Sequence, residues 1–297
     1  MRKKWSLFSV FNYLFLALFA FGTLYPFVYI LAYSLSDGVE ATKSTIYFWP
    51  KSFTLENYRQ IFQDATFLAA YQITILRTII GTILHVFLCA LFAYALTKKS
   101  LPGRTFFSIF IFVPMLFSGG MIPTFILYRQ LGLIDSFWVY VIPFLYNFFN
   151  IIIMRTFFQQ LPDSLEESAK MDGCGDFRIF VRIILPLSVP VLATIGLFIG
   201  VFHWNDWFTG TYFVTNKDLL PVQTLLNELL TQSQALANAA RNASQTGSSA
   251  GLQTTAATTP ESLRMATLMV ATVPILCVYP FLQKYFVKGV MIGSVKG

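Results

Sequence analysis

Long stretches without a charged residue alternate along the chain with short segments that hold most of the Asp, Glu, Lys and Arg residues. A helix that crosses the hydrocarbon core of a bilayer needs about 20 apolar residues. Six charge-free, apolar stretches come close to that length or exceed it: Trp5–Ser36, Thr78–Thr97, Thr105–Tyr128, Ser136–Met154, Ile183–Asn205 and Met265–Gln283. The pattern predicts an all-α, polytopic membrane bundle of six transmembrane helices, built as a single domain over residues 1–297.

Helix-disrupting residues interrupt several of these stretches. Pro114, Gly119, Gly120 and Pro123 lie in the third stretch, and Pro190 lies in the fifth. Broken helices are tolerated in a membrane where neighbouring helices or a water-filled cavity satisfy the freed backbone groups. The third span is therefore equally consistent with a packing kink and with a helix that lines a pathway or moves.

The composition agrees with a membrane protein. Of the 297 residues, 56% are hydrophobic, 17% are aromatic and 12% are charged, whereas about a quarter of the residues of an average globular domain are charged. This excludes an ordinary soluble enzyme and a disordered chain. A net charge of +7 would suggest nucleic acid as the partner of a soluble protein, but in a membrane chain it has to be read by position.

The distribution of charge predicts the orientation. The face that receives both termini holds 13 of the 21 Lys and Arg residues and 5 of the 14 Asp and Glu residues. Because Lys and Arg are enriched in cytoplasmic loops, both termini are expected in the cytoplasm. The first apolar run continues to Leu35, well past a signal-peptide core of about 7–15 residues, so we expect it to be retained as a helix.

Two further features bear on site chemistry. The segment 231–260 is rich in Ala, Asn, Ser, Thr and Gln, which indicates an external low-complexity loop. Three widely spaced cysteines and two histidines, with no C-x-x-C, support neither a disulfide framework nor a metal site.

The segment between the fourth and fifth stretches predicts a helix–turn–helix. Asp163 stands where an N-cap is expected, with Glu166 three residues later to complete a capping box. Gly173 suits the C′ position that ends the first helix, and Asp176 can cap a second helix. The second helix is amphipathic through Phe177, Phe180, Val181 and Ile184. A first helix this short is marginal in water, so we expect another protein to cover it.

The spacing of this segment resembles the coupling-loop signature of permease subunits of ATP-binding-cassette importers. That signature reads E-A-A, three residues, G, nine residues, I-x-L-P. The chain has Glu167-Ser-Ala169, then Gly173, then Ile183-Ile-Leu-Pro186, and every spacing matches. The departures are Ser168 for the usual Ala and Cys174 for the small residue that often follows the Gly.

Other segments resemble the carbohydrate-permease group of the maltose-transporter type. They are Phe53-Thr-Leu-Glu-Asn-Tyr58, Leu131-Gly-Leu133, His203-Trp-Asn-Asp-Trp207, Tyr279-Pro-Phe-Leu-Gln283 and the tail Lys288–Gly297. The resemblance covers nearly the whole chain except residues from about 231 to 260.

The resemblance implies that residues 163–186 form a cytoplasmic coupling loop whose first helix docks in a cleft of an ATPase subunit. The residues expected to couple are Glu166, Glu167, Ala169, Asp172, Gly173, Leu185 and Pro186. The resemblance also implies that the end of the chain reaches between the ATPase subunits, through Gly293, Ser294, Val295, Lys296 and Gly297.

The chain has no GxxxxGK[ST] phosphate-binding loop. We therefore expect a transport subunit rather than an enzyme, with no cofactor of its own and with ATP and Mg on partner ATPase subunits. The expected partners are a second, homologous permease in a heterodimer, two ATPase subunits, an extracytoplasmic solute-binding protein, a carbohydrate and membrane lipid, but no nucleic acid. The expected location is the bacterial cytoplasmic membrane.

Polar residues inside predicted spans are candidates for the translocation path. They are Asn147 and Asn150 in the fourth span, and Trp204, Asn205 and Asp206 near the outer end of the fifth. Trp204 also fits an interfacial aromatic belt, and His85 fits a hydrogen-bonded packing residue.

The cargo implied by the resemblance is a carbohydrate, specifically an oligosaccharide. Two alternatives stay open from the sequence. One is import of another solute, such as a polyol or a glycerol phosphate. The other is an integral membrane transferase, which would need an acidic or histidine cluster at a membrane face.

Overall fold

The computed structural model of the protein describes residues 7–43, 48–117, 119–245 and 259–293. Across these residues the chain is helical, with one isolated antiparallel bridge between Ser36 and Phe53. The helices are α1 (Leu7–Ser34), α2 (Gly38–Lys43), α3 (Glu56–Gln63), α4 (Ala65–Thr97), α5 (Arg104–Leu116), α6 (Met121–Gln130), α7 (Phe148–Phe158), α8 (Asp163–Met171), α9 (Asp176–Ile179), α10 (Leu185–Leu187), α11 (Val189–Asn205), α12 (Phe208–Phe213), α13 (Val222–Gln245) and α14 (Pro260–Gly293).

The prediction of an all-α membrane bundle is confirmed, while the number of spans stays a prediction. In the described residues, α1 and α4 are each long and apolar enough to cross a membrane. Two bent helix pairs raise that number to four if each pair is one span. The first pair joins Phe137–Phe144 to α7 at 50°, and the second joins Asp176–Leu187 to α11 at 82°.

The breaks fall where the sequence places its Pro and Gly residues. The third predicted span divides into α5 and α6, and Gly120 before α6 has a φ of +82°, a conformation that favours glycine. The fifth predicted span bends at Ser188, two residues before Pro190. Proline lacks a backbone donor and its ring clashes with the preceding turn, which accounts for the second interruption, whereas the first falls at Gly119 and Gly120.

The prediction of a loop over residues 231–260 is wrong for residues 231–245. Residues 231–245 of the segment 231–260 belong to α13, and residues 246–258 lie outside the described residues. Leu, Ala and Gln have high helix propensity. Helix α13 begins at Val222, so residues 231–245 extend an existing helix and do not have to nucleate a new one.

The chain divides into two compact units. The first comprises Met1–Phe67 with Leu226–Pro274, and the second comprises Leu68–Leu225 with Ile275–Gly297. The main core of the second unit is formed by residues of α4, α7 and α8–α11. Its fully or nearly fully buried side chains include Cys89, Ala90, Tyr94, Ile151, Met154, Phe180 and Ile195.

Asn57 joins three segments in the first unit. Its side-chain amide donates to the backbone oxygens of Ser34 and Ser36 at 2.9 and 3.0 Å, and its side-chain oxygen accepts from the Ser262 hydroxyl at 2.8 Å. Asn57 is fully buried. These bonds satisfy the end of α1 and connect it with the start of α14, so the Phe53–Tyr58 motif has a structural role.

We expect Asn57→Ala to lower the free energy of unfolding by about 1–3 kcal/mol for each buried partner left without a hydrogen bond. Thermal unfolding of the purified protein in detergent measures the effect. Gln60→Ala is the control, because Gln60 lies on the same helix and is exposed. Equal midpoints for the two variants would contradict the structural role of Asn57.

The Leu131-Gly-Leu133 motif is the C-terminal cap of α6. Gly132 has a φ of +67°, its amide donates to the Arg129 oxygen at 3.1 Å, and the Leu133 amide donates to the Tyr128 oxygen at 2.9 Å. This pair of bonds, followed by burial of Leu133, is a Schellman motif. The motif therefore ends a helix and directs the chain towards Asp135.

Asp135 then holds a second loop. Its carboxylate accepts from the Thr215 amide and hydroxyl at 2.5 and 2.6 Å and from the Asn216 amide at 3.0 Å. Hydrogen bonds to the charged form favour that form. The hydroxyl and amide of Thr215, followed by the Asn216 amide, therefore hold the pKa of Asp135 below its ordinary value of 3.8.

A carboxyl group with a lowered folded-state pKa stabilises the fold above its unfolded pKa, and this contribution is lost as pH falls through the folded pKa. We expect Asp135→Asn to lower the unfolding midpoint at neutral pH. The difference from wild type should shrink once the pH falls below 3.8. Midpoints measured across pH in detergent test this, and a pH-independent difference would contradict it.

Candidate functional site

The turn after α8 is built as the sequence predicts. Gly173 has a φ of +76°. Its amide donates to the Lys170 oxygen at 3.0 Å, and the Cys174 amide donates to the Ala169 oxygen at 2.9 Å. This is again a Schellman motif with Gly173 at C′, which confirms its predicted place. The chain reverses here, and α9 starts three residues later.

The predicted caps differ from the observed ones by one residue. Pro162 is the N-cap of α8 and Gly175 is the N-cap of α9, so Asp163 and Asp176 are first helical residues. Their backbone is already helical, and neither helix has a side-chain cap bond. The carboxylates still lie in the first turn, where the helix dipole favours negative charge.

Helix α8 has two distinct faces. Ala169 is buried in the main core of the second unit, and Glu166 is partly buried beside it. Glu167 and Asp172 are exposed, and the Met171 side chain is 88% exposed. The predicted coupling residues therefore separate into an inner pair that holds the helix in place and an outer set that is open to a partner.

Lys98, the residue after α4, anchors the inner face. Its ammonium forms an ion pair with Glu166, lies 3.9 Å from the Asp176 carboxylate, and lies 4.1 Å from the centroid of the Tyr94 ring. The Tyr94 ring in turn stacks on Phe180 at 5.3 Å between centroids. Both helices of the loop are thus attached to the end of α4.

The Ile183–Pro186 part of the signature lies at a distorted helix. Phe180–Ile184 form a π-helical turn, α10 contains Leu185 and Pro186, and the chain bends at Ser188. Leu185 packs against the core, whereas Pro186 is exposed. A π-turn followed by proline is a common cause of a sharp bend. This junction connects the loop with α11.

At the other end of α11, Asp206 is part of a buried ion pair. Arg77 is fully buried in α4, and its guanidinium donates to the Asp206 carboxylate at 3.2 Å and to the Asp206 backbone oxygen at 2.5 Å. It also lies 5.0 Å from the centroid of the Tyr140 ring. Removing one member of a buried ion pair lowers the free energy of unfolding by about 3–5 kcal/mol. Asp206 therefore stabilises the fold.

The residues around Asp206 differ in exposure, from buried His203 to exposed Asn205. A surface pocket is lined by Val201, Phe202, Asn205, Asp206, Trp207 and Phe208. Trp204 packs edge-on against Tyr71 at 6.1 Å between centroids. His203 is buried against Gly81, where a Cβ atom would lie 2.4 Å from its Nε2. Among the path candidates of this region, Asn205 and Asp206 line the pocket, and Asn205 is the more exposed of the two.

Asn147 and Asn150 lie at the bend before α7. Asn147 is the N-cap of α7 and accepts from the Asn150 amide at 3.4 Å. Asn150 is buried, and its side-chain amide lies 2.9 Å from His85 Nε2, while His85 Nδ1 lies 2.6 Å from the Phe144 oxygen. His85 is thus a hydrogen-bonded packing residue, as predicted, and Asn150 is its partner.

Two residues of this arrangement, Arg77 and Lys98, were not singled out by the sequence. Arg77 could have been found as a lone cation in an otherwise apolar helix, a position that indicates a buried partner. Lys98 has no such signal, because a lysine after a span is usual. Of the predicted tail contacts, Gly293 ends α14 and Ser294–Gly297 lie outside the described residues.

The comparisons agree with this geometry. The family model "Binding-protein-dependent transport system inner membrane component" matches residues 90–292. Protein LplC of Bacillus subtilis is 40% identical over 295 residues, which is 99% of this chain and 97% of that protein. The polygalacturonan/rhamnogalacturonan transport system permease protein YtcP of the same organism is also 40% identical, over 99% of this chain and all of that protein.

A solved structure shows the same fold. The crystal structure of a bacterial ABC transporter involved in the import of the acidic polysaccharide alginate includes a chain that is 31% identical. The TM-score is 0.83, and the match covers 95% of this chain and 99% of that chain.

The fold and the loop thus define a membrane permease subunit. The chain belongs to the family of inner membrane components of binding-protein-dependent transport systems. Membership confirms that it is a transport subunit rather than an enzyme, which removes the transferase alternative. It also means that the chain works in a membrane together with other transporter subunits.

We expect Gly173→Ala to destabilise the cap of α8, because a left-handed conformation costs a residue with a Cβ about 1–2 kcal/mol. The matched control is Gly175→Ala. Neither glycine has a neighbour within 4 Å of a built Cβ, and only Gly173 has a positive φ.

Hydrogen exchange of the capping amides of residues 173 and 174 measures this difference. Exchange should accelerate about 5–30-fold in Gly173→Ala and stay close to wild type in Gly175→Ala. Equal rates in both variants would show that the cap does not depend on the left-handed glycine.

Proposed function

We propose that this chain is the permease subunit of an ATP-driven importer for an oligosaccharide, forms half of the translocation path, and couples to separate ATPase subunits. The observation that carries the proposal is the exposed outer face of α8, which presents Glu167, Asp172 and Met171. An apolar and acidic face on a nine-residue helix that is firmly held from behind is suited to a cleft in a partner protein.

The carbohydrate cargo is supported by the relatives. YtcP is named for polygalacturonan and rhamnogalacturonan transport, and the matching structure comes from an importer of alginate. A further relative, 25% identical, is named as a maltodextrin permease. Oligosaccharides, including acidic ones, are therefore the first substrates to test, and polyols and glycerol phosphates are the alternative class.

The proposed assembly has a distinct second permease, two ATPase subunits that bind ATP and Mg, and an extracytoplasmic binding protein. In the topology predicted from the sequence, the face that would hold α8 and both termini receives 13 of the 21 basic residues. This supports a cytoplasmic location of that face. The tail Gly293–Gly297 is proposed to contact the ATPase subunits.

For the path, Asn205 at the pocket is the strongest candidate. Asn205 is exposed, and its side-chain amide donates within its own helix, to the Val201 oxygen at 2.9 Å. The other four candidates contact other segments or cap a helix, namely Trp204, Asn147, Asn150 and Asp206. We propose that Asn205 meets the cargo, and that the other four shape the surrounding structure.

The test is reconstitution of the complete complex in proteoliposomes, with ATP hydrolysis and sugar uptake measured together. Oligogalacturonides and maltodextrins presented with the binding protein are expected to stimulate both activities. Stimulation by a polyol or a glycerol phosphate, with none by any oligosaccharide, would select the alternative cargo.

Glu167→Lys tests the docking face. We expect at least about a tenfold fall in stimulated hydrolysis and in uptake, equivalent to about 1.4 kcal/mol, because a charge reversal at an interface introduces repulsion or an unpaired charge. Glu56→Lys is the control, since Glu56 is an exposed carboxylate on α3. Unchanged coupling in Glu167→Lys would remove Glu167 from the interface.

A further inference from the structure

Helix α4 is the longest uninterrupted helix of the second unit in the described residues. It runs from Ala65 to Thr97, mostly within that unit, and contains no proline. Its 33 residues correspond to about 50 Å at a rise of 1.5 Å per residue. Ala70, Ala90 and Ala93 on it are fully buried, so other elements pack closely along its length.

One end of α4 is attached to the proposed coupling loop. Lys98 pairs with Glu166 of α8 and lies near Asp176 of α9, and the Lys98 and Glu166 side chains are only 17% and 25% exposed. Because ion pairs shielded from water are screened less than exposed ones, the pair with Glu166 holds α8 to α4, while the Asp176 carboxylate on α9 is 65% exposed. Lys98 therefore joins α8 to the end of α4.

Towards the other end, α4 is attached to the corner between α11 and α12. The Arg77 guanidinium bonds both the side chain and the backbone of Asp206, and the second oxygen of the same carboxylate accepts from the Thr209 amide at 3.1 Å. Tyr140, which faces the guanidinium, donates its hydroxyl to the Leu219 oxygen at 3.0 Å. Three loops therefore meet at one buried cation.

The distance along α4 between Arg77 and Lys98 is close to the thickness of the hydrocarbon core of a bilayer. Arg77 and Lys98 are separated by 21 positions, which is about 31 Å along a helix, and the hydrocarbon core is about 30 Å thick. The direct chain route from α8 to Asp206 runs through α9, α10 and α11 and bends by 82° at Ser188. The route through α4 follows one continuous helix without proline, so we expect it to be the stiffer of the two.

From this geometry we propose that α4 is the strut that carries movement of the coupling loop to the outer corner at Asp206, with Lys98 and Arg77 as its two positioning residues. The proposal rests on the proposed function, since it assumes that α8 is moved by an ATPase. It adds two residues outside the coupling signature, and it assigns the transmission to a helix outside the loop.

The first test compares Lys98→Met, Lys98→Arg and Lys99→Met in the complete complex in proteoliposomes. Lys99 is the exposed neighbour of Lys98 and serves as the matched control. We expect Lys98→Met to assemble and to keep basal ATP hydrolysis, but to lose about tenfold in uptake per ATP hydrolysed. Lys98→Arg keeps the charge and should restore the wild-type ratio, as should Lys99→Met.

A wild-type ratio of uptake to hydrolysis in Lys98→Met would overturn the proposal. So would an equal loss in Lys99→Met, because the effect would then be unrelated to the ion pairs. If wild-type complex shows no stimulated hydrolysis or uptake with any solute, the proposed function itself fails, and this outcome is seen before any variant is compared.

The second test measures rigidity directly and does not depend on uptake. Spin labels are placed at Ser164→Cys on α8 and Thr211→Cys beside the outer corner, with Cys174 and Cys277 replaced by serine, while Cys89 is fully buried. Pulsed electron paramagnetic resonance then gives the distance between the labels in two states of the complex. One state has no nucleotide, and the other has ATP bound to a hydrolysis-deficient ATPase. A strut requires the same distance distribution in both states.

In Lys98→Met the same two labels should give a broader distribution, or a mean that differs between the two states. Arg77→Lys, which keeps the buried charge but loses the forked geometry of the guanidinium, should have a similar effect from the other end. A shift of the mean between the states in the unmodified background, beyond the width of the distribution, would overturn the strut.

Discussion

A polar group inside a membrane has to find its partner within the protein, because lipid offers none, and the arrangement of this permease follows from that constraint. Arg77 in α4 is fully buried, and its two terminal guanidinium nitrogens donate to Asp206, while the guanidinium lies over the Tyr140 ring. The loop positions around it are fixed as a result. His85 sets the bend before α7 in the same way, through Asn150 and the Phe144 oxygen.

The Leu131-Gly-Leu133 motif and the turn at Gly173 end their helices in the same way. Gly132 and Gly173 each occupy the left-handed C′ position of a Schellman motif, and the following residue, Leu133 or Cys174, packs against a hydrophobic core. Each glycine ends a helix at a defined residue and redirects the chain. The loop of α8 and α9 therefore combines a sharply ended helix with an attachment to α4 through Lys98.

The described residues contain both a long continuous helix and two sharply bent helix pairs. Helix α4 is continuous, whereas the chain bends at Ser188 and before α7. Prolines and a π-turn account for the bend at Ser188, and the buried Asn150 network accounts for the second. A permease that alternates between two states needs both kinds of element, because rigid helices transmit a displacement and bends absorb it.

The sequence alone determined the class of fold, since charge-free runs of about 20 residues have few stable solutions other than membrane helices. It also determined the turn at Gly173 and the breaks near Gly120 and Pro190, because those conformations depend on local backbone chemistry. Tertiary structure alone decided that Glu166 faces inward and that Arg77 meets Asp206 across 129 positions. Such pairings depend on which helix faces pack together, and no local pattern of residues encodes a distance across the bundle.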